Sequence, residues 1–232
     1  MVRASVICAV AVVLACLPLI AQDAEKSNGM PKAGDAIPRP FETFLLNDTK
    51  ELTDKGQSSK GRPHCLVVRF GLNPAVLIIT REPAEAGEAA FTAFLKKLDE
   101  ATLDFEEKNF QAGVIVISPD ARDSTNNAKQ IDPEKIIEET VKRTELIKRL
   151  TKRAEGLTNV LLSCHPIDAV GVRDAPPKGF KIDPKTEMAV FFYDRMKVLE
   201  SFAFDAAPDV AQVDAMIKKI RDGLEKRPGA KK

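Results

Sequence analysis

Three stretches of this chain are apolar without any polar alternation: Ala75-Val76-Leu77-Ile78-Ile79-Thr80, Gly113-Val114-Ile115-Val116-Ile117-Ser118 and Asn159-Val160-Leu161-Leu162-Ser163-Cys164. A half-buried strand alternates apolar with polar residues, so an unbroken run rich in β-branched residues belongs to a strand covered on both faces. Between the runs, the spacing predicts two amphipathic helices. From Glu85 to about Phe105, Phe91, Phe94, Leu95, Leu98 and Leu103 recur every three or four residues. From Asp132, an N-cap, a proline at the first helical position and an acidic first turn precede Ile136, Ile137, Val141, Leu146, Ile147 and Leu150 on one face. Buried strands that alternate with helices demand a mostly parallel sheet with helices on both sides.

The flanks complete this α/β pattern. Thr43–Asn47 and His64–Phe70 read as an N-terminal β-hairpin across a long soluble loop, Asp48–Arg62. Met188–Tyr193 and Val198–Phe204 form a closing hairpin, and Val210, Val213, Met216, Ile217 and Ile220 mark a last helix. The expected fold is a three-layer sandwich around a mixed, mostly parallel sheet, with an N-terminal hairpin and a C-terminal hairpin plus helix. It spans residues 34–225 and is long enough to bury a core without disulfide staples.

Residues 1–21 carry Arg3, an apolar run from Val6 to Leu17 and Ala21 at a cleavage position, the pattern of a secretory signal peptide. Residues 22–33 read as a flexible tether and 226–232 as a disordered basic tail. Export to a periplasmic or extracellular compartment follows, and Val13-Leu14-Ala15-Cys16 leaves lipid anchoring through Cys16 as the alternative. No other segment is long and apolar enough to span a membrane. Loss of Arg3 leaves basic and acidic residues equal in number, which argues against a nucleic-acid partner. The cluster Lys142, Arg143, Lys148, Arg149, Lys152 and Arg153 is interleaved with Glu, as on a solvated helix face.

The pattern resembles the thioredoxin-like superfamily, in its peroxiredoxin and thiol-oxidoreductase branch. The resemblance rests on Gly34-Asp35-Ala36-Ile37-Pro38, on Phe44-Leu45-Leu46-Asn47-Asp48, on the strands Val76–Thr80 and Asn159–Ser163, and on Ala189–Asp194 leading into a hairpin. It implies a nucleophilic cysteine just after the central strand, where a helix N-terminus lowers its pKa. Here that segment is Thr80-Arg81-Glu82-Pro83-Ala84-Glu85-Ala86-Gly87-Glu88-Ala89, which has no cysteine and holds three acids. The cis-proline expected before the penultimate strand is replaced near Thr186 or Glu187, and Met188 falls about where peroxiredoxins hold a substrate-polarising arginine. The resemblance therefore points to a non-catalytic binding or structural module whose partner, a protein or a small ligand, is unknown.

The alternative is chemistry by relocated thiols. After signal removal the chain keeps Cys65 and Cys164, each beside one of its two histidines, His64 and His165. These thiols are either a disulfide or redox pair, or two unpaired structural cysteines. Two Cys and two His also match the donor set of zinc or copper, but neighbours on a strand point to opposite faces and neither dipeptide has ligand spacing. No metal or cofactor is expected. Asp120, Asp123, Asn126 and Asn127 lack the glycine and terminal glutamate of a calcium loop, and phosphate-loop, nucleophile-elbow and zinc-helix motifs are absent. In open α/β sheets, ligands bind beyond the carboxyl ends of parallel strands. That rule places a cleft at Thr80–Glu85, Ser118–Arg122 and Cys164–Asp168, with Arg81, Arg122 and His165 on its rim and the Gly/Pro-rich crossing Val172–Pro184 over it.

N-terminal sequencing and intact mass of the chain recovered from an exporting host are expected to begin at Gln22. An adduct of lipid mass on Cys16 would select the anchored form instead.

Overall fold

The computed structural model describes residues 29–38, 41–84, 87–122, 132–166, 179–183 and 185–227. The signal segment, the tether up to residue 28, Asp123, Asn126 and Asn127 of the acidic loop, most of the crossing and the tail from 228 lie outside the described residues. The elements run β1 (Thr43–Leu45), α1 (Lys50–Asp54), β2 (Pro63–His64), α2 (Leu66–Phe70), β3 (Ala75–Arg81), α3 (Glu88–Asp104), β4 (Gln111–Ser118), α4 (Pro133–Ala154), β5 (Val160–Pro166), β6 (Met188–Asp194), β7 (Lys197–Phe204) and α5 (Val210–Glu225). They build one mixed sheet in the order β2-β1-β5-β4-β3-β6-β7. Strands β3, β4 and β5 are parallel, while β1 and β6 pair antiparallel to β5 and β3. This is a three-layer α/β arrangement around a mixed sheet, with the closing hairpin where the sequence places it.

The unbroken runs are buried from both sides because successive residues feed two separate cores. Val76 and Ile78 of β3, Val114 and Val116 of β4 and Leu162 of β5 meet Phe94, Leu95, Leu98, Leu146, Leu150, Met216 and Ile220 from α3, α4 and α5. The alternate residues Leu77, Ile79, Ile115, Ile117 and Leu161 pack with Leu66, Val67 and Phe70 of α2, with Met30 and Ile37 from the N-terminal segment, and with Phe180. Gly113 is required on that second face, since a Cβ there would lie 2.8 Å from both Leu66 Cδ1 and Phe70 Cζ.

Four expectations are corrected. The run His64–Phe70 does not continue as a strand: only Pro63 and His64 pair with β1, and Leu66–Phe70 turns into helix. Leu66, Val67 and Phe70 lie on one helical face against the sheet, and Gly71, at φ 56°, ends the turn. The tether stops short of residue 33, because Met30 is buried in the second core. The loop Asp48–Arg62 contains α1 and is held from inside. Finally, Ile137 and Val141 are 66% and 57% exposed, while Leu146 and Leu150 of the same expected face are buried along with Ala154. A helix of 22 residues extends about 33 Å, against about 23 Å for the seven residues of β5, so its first turns overhang the sheet. The expected N-cap is present, with Asp132 accepting from the Glu134 N–H at 3.0 Å.

Polar side chains hold the strand ends. Asn47 continues the β1 edge beyond its last residue by donating to Val160 O at 2.9 Å and accepting from Leu162 N at 2.6 Å. Asp99 of α3 accepts from the N–H groups of Thr158, Asn159 and Val160 and fixes the start of β5. Asp48 is fully buried and ion-paired with Arg69 of α2, and it also accepts from Thr49 N and Ser59 N at 2.8 and 2.7 Å. Burial alone would raise the Asp48 pKa, but the Arg69 bond and the two N–H donors outweigh it and hold the carboxyl below its ordinary 3.8. A lowered folded-state pKa stabilises the protein above the unfolded value and is lost as pH falls through the folded one. Asp48→Asn is therefore expected to cost about 3 kcal/mol at neutral pH, since one partner of a buried pair is left alone. The cost should shrink as the pH is lowered below 4, which urea unfolding of both forms across pH would read.

Candidate functional site

Beyond the carboxyl end of β3 the chain opens into a cleft of about 480 Å³. Its floor is the strand end, Thr80 to Ala84. One wall is the first turns of α3, with Gly87, Ala90, Phe91 and Phe94, and the other is Glu187 and Met188 at the start of β6 with Ala207 and Pro208 before α5. The antiparallel register explains the juxtaposition, because Met188 pairs with Thr80 and so β6 begins where β3 ends. Backbone and hydroxyl bonds close the floor: Arg81 N donates to Glu187 O at 2.9 Å, and Thr80 Oγ1 lies 3.1 and 3.2 Å from the Arg81 and Glu187 carbonyls.

The acids of this segment are matched by arginines from α4. Glu82 accepts from Arg149 at 2.9 and 3.2 Å and from the Ser118 hydroxyl at 3.3 Å. Arg153, whose side chain is only 7% exposed, donates to Glu88 at 2.9 Å and lies 3.9 Å from Glu82. The Arg153 bond and its charge hold the Glu88 carboxyl below its usual range. Part of the basic cluster is therefore not a solvated face. Two of its members tie α4 to the start of α3, and carboxylate–guanidinium pairs occupy the place where the resemblance implies a thiolate.

The sequence-derived rim divides. Arg81 lines the cleft, whereas Arg122 and His165 lie outside it. Arg81, Ile117 and His165 are in register across β3, β4 and β5 and so point to one face. That face is the α2 side, where His165 Nδ1 sits 3.0 Å from the Glu42 carbonyl and its ring meets Phe41 edge-on at 5.5 Å. Arg122 reaches Glu139 of α4 at 3.4 Å. Glu187 and the apolar wall went unnoticed as site residues, although the closing hairpin was legible. The available signal was that the start of an antiparallel neighbour must face the carboxyl end of β3.

The two thiols are not brought together. Both are free, Cys164 within the core under α3 and α4 and Cys65 against the opposite core. Cys65 follows β2, and β2 and β5 flank β1 on opposite sides. Two strand spacings put the cysteines about 10 Å apart, beyond the roughly 7 Å that a disulfide spans. Burial pushes the Cys164 thiol up to about 11, with Arg143 opposing and Glu82 adding to the effect. His64 is shifted the other way, below its ordinary value, chiefly by burial and by the nearby Arg69 charge. The alternative of a relocated redox pair loses its geometry. In the chain beginning at Gln22, iodoacetamide at pH 8 is expected to alkylate Cys65 and to spare Cys164 until the protein unfolds, as peptide mass mapping would show.

No family model matches the chain, and neither does any curated protein with which it was compared. Among solved structures it is similar to an uncharacterised conserved protein of Geobacillus kaustophilus, at 14% identity and a TM-score of 0.48 over 88% of this chain and 87% of the other. It is similar also to a protein designated thiol:disulfide interchange protein DsbE from Chlorobium tepidum, at 15% identity and a TM-score of 0.46 over 84% and 99%. A yeast mitochondrial 1-Cys peroxiredoxin aligns at 12% identity and 0.45 over 85% and 79%. The fold class rests on the strand order and connectivity described above, and these likenesses say nothing about activity.

Proposed function

We propose that this chain is an exported, non-catalytic thioredoxin-fold binding module whose cleft at the end of β3 takes up an apolar group. One observation carries the reading. The place where the resemblance implies a reactive cysteine is an apolar cleft without a thiol, and Glu82 and Glu88 beside it are paired with arginines. A nucleophile for disulfide or peroxide chemistry needs a stabilised thiolate at that point. Phe91, Phe94, Met188 and Pro208 instead offer contact surface, in a volume within the range of small-ligand pockets, roughly 300–1,000 Å³. Residues 1–21 support export, and among the described residues no helix is long and apolar enough to cross a membrane.

The mature chain is expected neither to reduce insulin disulfides nor to consume a hydroperoxide with a thiol as reductant. Turnover in either assay overturns the reading. Phenylbutanol, a neutral apolar probe, is expected to shift the NMR signals of Phe91, Phe94 and Met188. Ala90 is exposed on α3 and lines the cleft, so Ala90→Trp is expected to fill it and weaken the probe by about tenfold or more, a change of ~1.4 kcal/mol, with an unaltered circular dichroism spectrum.

A further inference from the structure

The first half of α4, which extends past the sheet, carries an exposed stripe of low polarity. Ile137, Thr140, Val141 and Thr144 follow at spacings of three, four and seven residues from the first, so they share one side of the helix, and all four are exposed. The threonines add little polarity to it. Each hydroxyl donates within its own helix, Thr140 to the Ile136 carbonyl at 2.7 Å and Thr144 to the Thr140 carbonyl at 2.8 Å. Glu134 and Lys148 close the stripe at its two ends. Each stands seven residues from Val141, nearly two turns along the same side, and neither side chain makes an ion pair among the described residues. Glu138 and Lys142 beside the stripe are instead paired with each other at 2.5 Å.

This spacing is its own complement. A second α4 laid antiparallel across the stripe, with the twofold at Val141, sets each Glu134 opposite the Lys148 of the other copy and the apolar residues against one another. A parallel copy would oppose Glu134 to Glu134 and Lys148 to Lys148. With 35 basic and 34 acidic residues in the chain, little long-range repulsion holds two copies apart. We propose that this exposed side of α4 is a self-association surface, on which two copies of the chain pair antiparallel about a twofold axis at Val141. The inference is independent of the cleft and of what the cleft binds. The overlap from Glu134 to Lys148 is about 21 Å long and one helix wide, smaller than the interface of a permanent dimer. The pairing is therefore weak and reversible, with a dissociation constant on the order of 0.1 mM.

Sedimentation equilibrium of the mature chain from about 10 μM to about 1 mM reads this pairing, and its mass is expected to rise from monomer toward dimer across that range. Val141→Glu, at an exposed position, is expected to weaken the dimer by about tenfold or more with an unaltered circular dichroism spectrum. Glu134→Lys and Lys148→Glu each oppose like charges and are expected to weaken it by about threefold. The double exchange, Glu134→Lys with Lys148→Glu, is expected to restore the native association, because it reverses both members of each pair. A chain that stays monomeric to about 1 mM overturns the proposal, as does a dimer indifferent to Val141→Glu. A double exchange that associates no better than the single changes overturns it as well, since only the antiparallel arrangement brings Glu134 to Lys148.

Discussion

A strand buried on both faces has only its ends to offer to the outside, and that constraint governs the rest of this molecule. In β3 and β4 every residue from Ala75 to Thr80 and from Ala112 to Ser118 is buried, divided between a core under α3, α4 and α5 and a second under α2 and the N-terminal segment. Polar groups inside such a sheet need partners close by, as where the buried Ser163 hydroxyl donates to the Val114 carbonyl, and few are present. Chemistry and recognition are therefore displaced to the carboxyl ends, where β3 hands over to α3 and β6 begins.

What occupies that end is a set of paired charges. A cysteine at the first turn of a helix draws its reactivity from the helix dipole and from nearby cations. Here the same field is answered by Glu82 and Glu88, and the cations that could have supported a thiolate, Arg149 and Arg153, are engaged with these carboxylates. The pairing ties α4 to the entry of α3 and shapes the wall of the cleft. The remaining cysteines are placed for packing, with Cys164 deep in the main core and Cys65 closing β2 on the other side of the sheet.

Where the residues could be read and where they could not follows from how local the deciding physics was. The three buried strands, the cap of α4 and the closing hairpin were legible because a periodicity or a short motif specifies each one. The run His64–Phe70 misleads because short apolar segments suit strand and helix alike, and the choice fell to α2 covering Gly113 and its neighbours. Ile137 and Val141 mislead for another reason. Their helical spacing is sound, but whether a face is buried depends on how far the helix extends past its sheet. Arg122 and His165 stand at strand ends as expected, yet Glu139 and Glu42 hold them outside the cleft.

By itself, the sequence determined the alternation of buried strand and helix, and with it the parallel strands β3, β4 and β5 in the middle of a mixed sheet, because apolar periodicity is a local property that survives in the unfolded chain's order of residues. It determined equally that no cysteine follows the central strand. Only the tertiary structure decided which thiols share a face, which arginines meet which carboxylates and that Glu187 stands across the cleft from α3. Those relations join residues roughly sixty to more than one hundred positions apart, such as Glu82 with Arg149 and Thr80 with Glu187. Strand register and the pitch of helices across the sheet set them, and no local pattern encodes either.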